Sequence, residues 1–107
     1  MGQTIKNLGN GQLPSTKGTL YTVPASTTAI VKNISLVNTN TSAEDVNLFY
    51  KASGGTSRRI FAVDYSLAAG ACVNHEITVT MGAADIIEGD ADTASKVDYV
   101  ISGMEFT

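Results

Sequence analysis

Tryptophan is absent from this 107-residue chain, and histidine and cysteine occur once each, as His75 and Cys72. A lone cysteine cannot staple a fold, which argues against a disulfide-built secreted module. One cysteine and one histidine cannot furnish the ligand set of a structural zinc site. Charged residues make up only 16% of the chain, against about 25% in an average soluble domain. No apolar run approaches the roughly 20 residues that a membrane-spanning helix needs. Met1–Lys6 holds no apolar segment of the kind a secretory signal requires, and Lys6 stands where a myristoylation motif wants Ser or Thr. The net charge of −3 leaves no basic footprint for nucleic acid.

What is present is uncharged polarity on a β-branched background. Thirteen Thr, nine Ser, seven Asn and ten Gly supply polarity without charge, and Val, Ile and Thr together account for 30 residues. The hydrophobic share of 43% is too high for a disordered tail and, in a chain of this size, enough for one core. The charges are divided along the chain. Residues 1–60 carry six Lys and Arg against Glu44 and Asp45, whereas residues 61–107 carry eight acids against Lys96. Such a division gives a small domain differently charged faces, which suits contact between copies.

Period-two alternation dominates the pattern. Strands are expected over residues 18–23, 30–38, 46–51, 58–63, 72–81, 85–88 and 96–106. Ile30, Ile34 and Leu36 share one face of the second of these, with Val31 and Val37 on the other. The segment 72–81 alternates most cleanly, with Val73, His75, Ile77, Val79 and Met81 in one row. No stretch shows a helical period free of β-branched residues. Short strands separated by turn residues predict an all-β, antiparallel β-sandwich, jelly-roll-like. Residues 1–18, with isolated Ile5, Leu8 and Leu13 among Gly, Asn, Gln, Ser and Thr, read as an extended N-terminal arm. Residues 19–107 then form the sandwich domain, and loss of the arm is expected to leave it folded.

Little in the chain speaks for catalysis, and neither an enzyme nor a cofactor is expected. His75 lies mid-strand in an apolar row. Cys72, three residues earlier, faces the opposite side and is expected to be a small, semi-buried residue, which argues against a thiol–imidazole dyad. Gly9-Asn10-Gly11 and Gly54-Gly55 lack the spacing of a phosphate cradle. Asp85, Glu88, Asp90 and Asp92 are the candidate metal ligands, since closely spaced carboxylates suit calcium, although the EF-hand pattern is missing. Candidate interface residues are Ile5, Leu8 and Leu13 of the arm, the pair Arg58 and Arg59, and the aromatics Phe49 and Phe61. Both aromatics stand out of phase with the inward residues of their strands.

Three segments carry a family resemblance. They are Leu20–Asn38 (LYTVPASTTAIVKNISLVN), Leu67–Gly70 before a strand, and Ile86–Asp90 before a final strand that closes on Ile101-Ser102-Gly103-Met104-Glu105. This pattern resembles small β-sandwich virion structural proteins of tailed bacteriophages, the head decoration (cement) type or tail-associated subunits, over residues 19–106. The resemblance implies no catalytic residues. It implies a homo-oligomer, a trimer or ring, bound to the major capsid protein or another virion protein, in a virion assembled in the host cytoplasm. It implies neither a nucleic-acid nor a membrane partner. A tail or tail-fibre role, and a glycan- or calcium-binding module, are the alternatives.

The inward row makes one direct prediction. Ile34→Asp would bury an unpaired charge in mid-strand, and it is expected to lower unfolding stability by about 4 kcal/mol or more in chemical denaturation. An unchanged melting temperature would show the register to be wrong.

Overall fold

A computed structural model describes residues 2–107. Nine strands follow in chain order: β1 (Gln3–Gln12), β2 (Gly18–Thr22), β3 (Thr28–Asn38), β4 (Glu44–Lys51), β5 (Ser57–Arg59), β6 (Tyr65–Leu67), β7 (Cys72–Met81), β8 (Ile86–Ala91) and β9 (Val97–Phe106). One sheet has the order β1-β9-β3-β7. The other runs β2-β8-β4, and short β5 and β6 both pair along β4. All pairings are antiparallel. Most connections cross from one sheet to the other, so the chain winds as a jelly-roll-like β-sandwich. Its core holds Leu13, Ile34, Leu36, Leu48, Ile87 and Ile101, all fully buried between the sheets.

The N-terminal segment differs from expectation. Residues 3–12 are not an arm; they form the edge strand β1, paired with β9 from Gln3↔Phe106 to Gln12↔Asp98. Leu8 and Leu13 point into the core, and Leu13 is held by backbone bonds from its N–H to the Val97 carbonyl and from the Ser95 N–H to its own carbonyl. Removing residues 3–13 would strip β9 of one neighbour and the core of two leucines. The physical reason is that β9 supplies the hydrogen bonds, so a strand poor in apolar residues still forms.

Bulges explain the face assignments. Between Val31 and Asn33 the pairing of β3 slips past Lys32, against both β9 and β7. The slip moves Val31 onto the inward row with Ala29, Ile34 and Leu36, and leaves Ile30 on the outer face, half-buried. A second slip on β1, between Asn7 and Gly9, sits at the same level of β9 and turns Leu8 inward. Gly103 lies beside both bulges. A Cβ there would collide with the Ile30 carbonyl oxygen and stand 2.9 Å from Leu8 Cδ1.

Two other boundaries shift. β8 continues through Gly89 to Ala91, where a turn is expected. Gly89 is not a breaker here: a side chain would stand 2.9 Å from Leu20 Cδ1 and 3.0 Å from the Asn47 carbonyl oxygen. The expected strand over 58–63 ends at Arg59, and residues 60–64 instead bend across the side of the sandwich before β6.

Gly103→Ala is expected to destabilise the chain by about 3 kcal/mol or more, since the crowding atoms include backbone that cannot step aside. Equilibrium unfolding in guanidinium measures this, and a loss below about 1 kcal/mol would show that the two bulges relax freely.

Candidate functional site: the sheet face, the side wall and the acidic hubs

The proposed metal ligands do not converge. Alternation along β8 sends Glu88 and Asp90 to the outer face of the second sheet, with Asp85 before the strand and Asp92 after it. Each has its own protein partners. Glu88 accepts from Ser57 Oγ at 2.5 Å, Asp90 from Asn47 Nδ2 at 2.9 Å, and Asp92 from the Asp45 N–H at 3.0 Å. Asp85 accepts from Tyr50 Oη and from the backbone N–H groups of Ser53 and Gly82, each at 2.8 Å. Among the described residues no group of three or more His, Cys, Asp or Glu is placed to hold a metal ion.

These acids fasten loops. Asp85 ties the turn at Gly82, the loop at Ser53 and the end of β4 into one knot. Its carboxyl is held below the ordinary carboxylate range, first by the Ser53 N–H and then by Gly82 and Tyr50, against the opposing effect of burial. The same bond raises the Tyr50 phenol. Glu44 is buried, and burial alone would raise it. Bonds from Asn40 and Thr93 and the charge of Lys96 outweigh that and hold it low. Glu105 is lowered first by Tyr21 Oη, 2.7 Å away, and then by Lys6. Asp45 is the exception: desolvation and the nearby charges of Asp92, Asp64 and Glu44 push it up.

Asn47 organises the outer face of the second sheet. Its Oδ1 accepts from Arg59 Nη1 at 2.7 Å and from the Asp64 N–H at 2.9 Å; its Nδ2 donates to Asp64 and Asp90. Phe49, beside it, also points outward, yet is only 8% exposed because Lys17 Nζ and the Arg59 guanidinium each lie 4.8 Å from its ring centre. Phe49 and Arg59, two of the interface candidates, thus engage each other within their own chain, although Arg59, like Arg58, is exposed. Leu8 and Leu13 are core residues. Cys72, expected to be semi-buried, is exposed at the start of edge strand β7.

Two surfaces remain open. The first is the outer face of the sheet β1-β9-β3-β7. Pairing aligns Ile5, Met104, Ile30 and Thr80 in one row across the four strands, and Asn10, Val100, Ser35 and Asn74 in another. Ile5 is 81% exposed and Val100 39%. An apolar hollow of about 550 Å³ lies at one end, lined by Thr28, Ala83 and Phe106 among others. The second surface is the side wall between β7 and β6. Only short β5 and β6 face β7 there, so its inward row of Val73, His75, Ile77 and Val79 stays half-buried. Phe61 fills part of the gap, 4.7 Å from the rings of both Tyr65 and His75. His75 Nε2 lies 2.6 Å from the Ile60 carbonyl oxygen, which only accepts, so Nε2 carries the proton. Val63 and Tyr65 stand exposed on this wall.

No family model and no curated protein matches this sequence. Solved structures do match. A subunit of Bacillus endospore appendages, described as a novel family of disulfide-linked pili, superposes over 99% of this chain and 87% of its own length, with TM-score 0.55 and 15% identity. The fold of this chain is shared with it. A protein from the structure of the infectious bursal disease virus Gx strain matches over 97% of this chain and 32% of its own length, with TM-score 0.54 and 12% identity. Drosophila NLP-core, whose structure concerns pentamer formation and histone binding, matches over 92% and 98%, with TM-score 0.54 and 13% identity. At these identities the likeness is one of fold.

The Asp85 knot has a pH signature. A carboxyl lowered in the folded state stabilises above its unfolded value, about 4, and that stability is lost as pH falls through the folded value. Asp85→Asn is expected to cost about 1.5–3 kcal/mol at neutral pH and to flatten the decline in stability between about pH 5 and pH 2. Urea melts across that range decide it, and parallel curves for the two proteins would remove Asp85 from the acid response.

Proposed function

We propose that this chain is a bacteriophage virion structural subunit that acts by assembling with copies of itself on the capsid, as a decoration protein of the head. The observation that carries the reading is the outer face of the β1-β9-β3-β7 sheet. It is broad and poor in charge, and exposed Ile5 and Val100 are set among Asn, Gln, Ser and Thr. Only Lys32, Glu76 and Asp98 bring charge to its paired rows or the bulge between them. Such a face desolvates at little cost, because few ions must leave water. A sandwich whose loop ends are knotted by Asp85 and Glu44 is also a rigid tile for a shell.

The matching folds support this reading, because a pilus, a virus and a pentamer are all assemblies built from repeated subunits. The sequence resemblance to small β-sandwich virion proteins of tailed bacteriophages, the head decoration type or tail-associated subunits, also supports a virion role, and the head reading takes the major capsid protein as partner. No catalytic step and no cofactor belongs to it.

Immunogold labelling of purified virions with antibody to the chain tests the assignment. Label on the heads is the expected result. Label confined to tails would transfer the protein to the tail, and virions without label would overturn a virion role.

A further inference from the structure

Resting on that self-assembly reading, the strand register points to a specific contact between copies: we propose that the β1 edge of one chain docks along the β7 edge of the next, in register, and that repetition of this contact closes a ring. The sheet order is β1-β9-β3-β7, so β1 and β7 are its two free edges, and each is ten residues long. Three antiparallel pairings separate them, so the two edges run in opposite directions. A copy related by rotation about an axis along the strands therefore presents β7 antiparallel to β1, with every row of the sheet kept at its own level. No flip is needed, and the contact joins two different surfaces; a rotation with no shift along its axis closes such a head-to-tail contact into a ring.

The rows match in shape and chemistry. On the inner side, Gly9 shares a row with His75, and Gly11 shares one with Val73. The β7 wall therefore bulges with His75 and the Phe61 ring tilted against it at the level where β1 carries no side chain. On the outer side, Asn10 shares a row with Asn74, and Asn7 with Glu76. Across the proposed contact each pair comes face to face, and an asparagine amide meets an asparagine or a carboxylate. The partner wall also covers the rest of the half-buried row of β7 and the exposed Val63 and Tyr65, which Phe61 covers only in part. The molecule measures 46 × 26 × 19 Å. Its long, narrow side is about 900 Å², close to the 800 Å² or so that each partner contributes to a standard interface.

Cys72 supplies the test, because it shares the last row with Gln12 and is exposed. Gln12→Cys places a thiol opposite Cys72 of the neighbouring copy, at cross-strand distance. Mild copper-catalysed oxidation of this variant is expected to give a covalent ladder on a non-reducing gel, ending at the ring size that light scattering measures for the unmodified protein. The wild-type chain, with one thiol, stops at dimers. A charge test needs no oxidant. Asn10→Asp with Asn74→Asp sets like charges across the contact and is expected to shift the oligomer toward monomer at least tenfold, whereas Asn10→Asp with Asn74→Lys retains it. Within one chain the two positions lie at opposite edges of the sheet, so folding is unaffected, and circular dichroism confirms that. If the wild type is oligomeric but Gln12→Cys stops at dimers, or both double variants behave alike, the edge contact is overturned and self-assembly stands. A wild type that stays monomeric at every concentration overturns both.

Discussion

The close approach of β9 to its two neighbours at Gly103 is the constraint on which the larger sheet depends. β9 pairs with both β1 and β3, and both of those bulge within two residues of Gly103 along β9. The Leu8 side chain and the Ile30 carbonyl occupy the space a side chain would need. Each bulge adds a residue to one strand and switches its face. Without the bulge in β3, Ala29 and Val31 could not share the inward row with Ile34 and Leu36. Without the bulge in β1, Leu8 would not reach the core. A single residue without a Cβ thus lets two edge-ward strands twist onto one central strand and brings their apolar residues to one side.

Polar side chains close the ends of the sandwich that the apolar core leaves open. Asn38 is fully buried and donates to the carbonyls of Ser42, Leu67 and Ala68, so one amide holds two loops. Glu44 and Asp85 do the same at opposite ends with bonds from backbone N–H groups. Bonds from backbone to carboxylate are strong, and an unpaired buried acid is costly, so these residues specify the loop positions as well as stabilising them. The acid-rich second half of the sequence is explained largely in this way. Its charges are mostly spent inside the chain, and Asp45, with its raised carboxyl, marks where they crowd without a cation.

Much of this was legible in the residues. The alternation at 72–81 and the apolar run at 97–106 correspond to β7 and β9, and the all-β sandwich follows from their spacing. β1 was not legible. Gly9, Gly11 and the asparagines give it a loop's composition, and its stability comes from hydrogen bonds to a strand some ninety residues away. Bulges were also hidden, because a local pattern cannot show that a partner strand has one residue fewer. The acids at 85–92 looked like one site because they are close in sequence. Glu88 and Asp90 share the outer face of β8, but Asp85 and Asp92 lie beyond its ends, and each acid has its own protein partner. Phe49 reads as out of phase in the sequence, but its cover by Lys17 and Arg59 depends on contacts from β5 and from the loop before β2.

The two edges of the larger sheet are unlike each other, and this bears on what can pair with them. An unprotected edge strand invites open-ended pairing with any other strand. Here β1 carries a bulge at Leu8 and a charged Lys6 held by Glu105 at 3.2 Å, both of which make it a poor template for an unrelated strand. β7 is bulged opposite Lys32 and has its inner side lifted by the tilted Phe61–His75 ring contact. Each edge is therefore a poor template for a flat strand, and the proposed contact would pair it with one of complementary relief. A strand with glycines at the level of His75 meets that requirement, and β1 of another copy is such a strand. The irregularities that allow the fold to pack thus also restrict what can join its sheet.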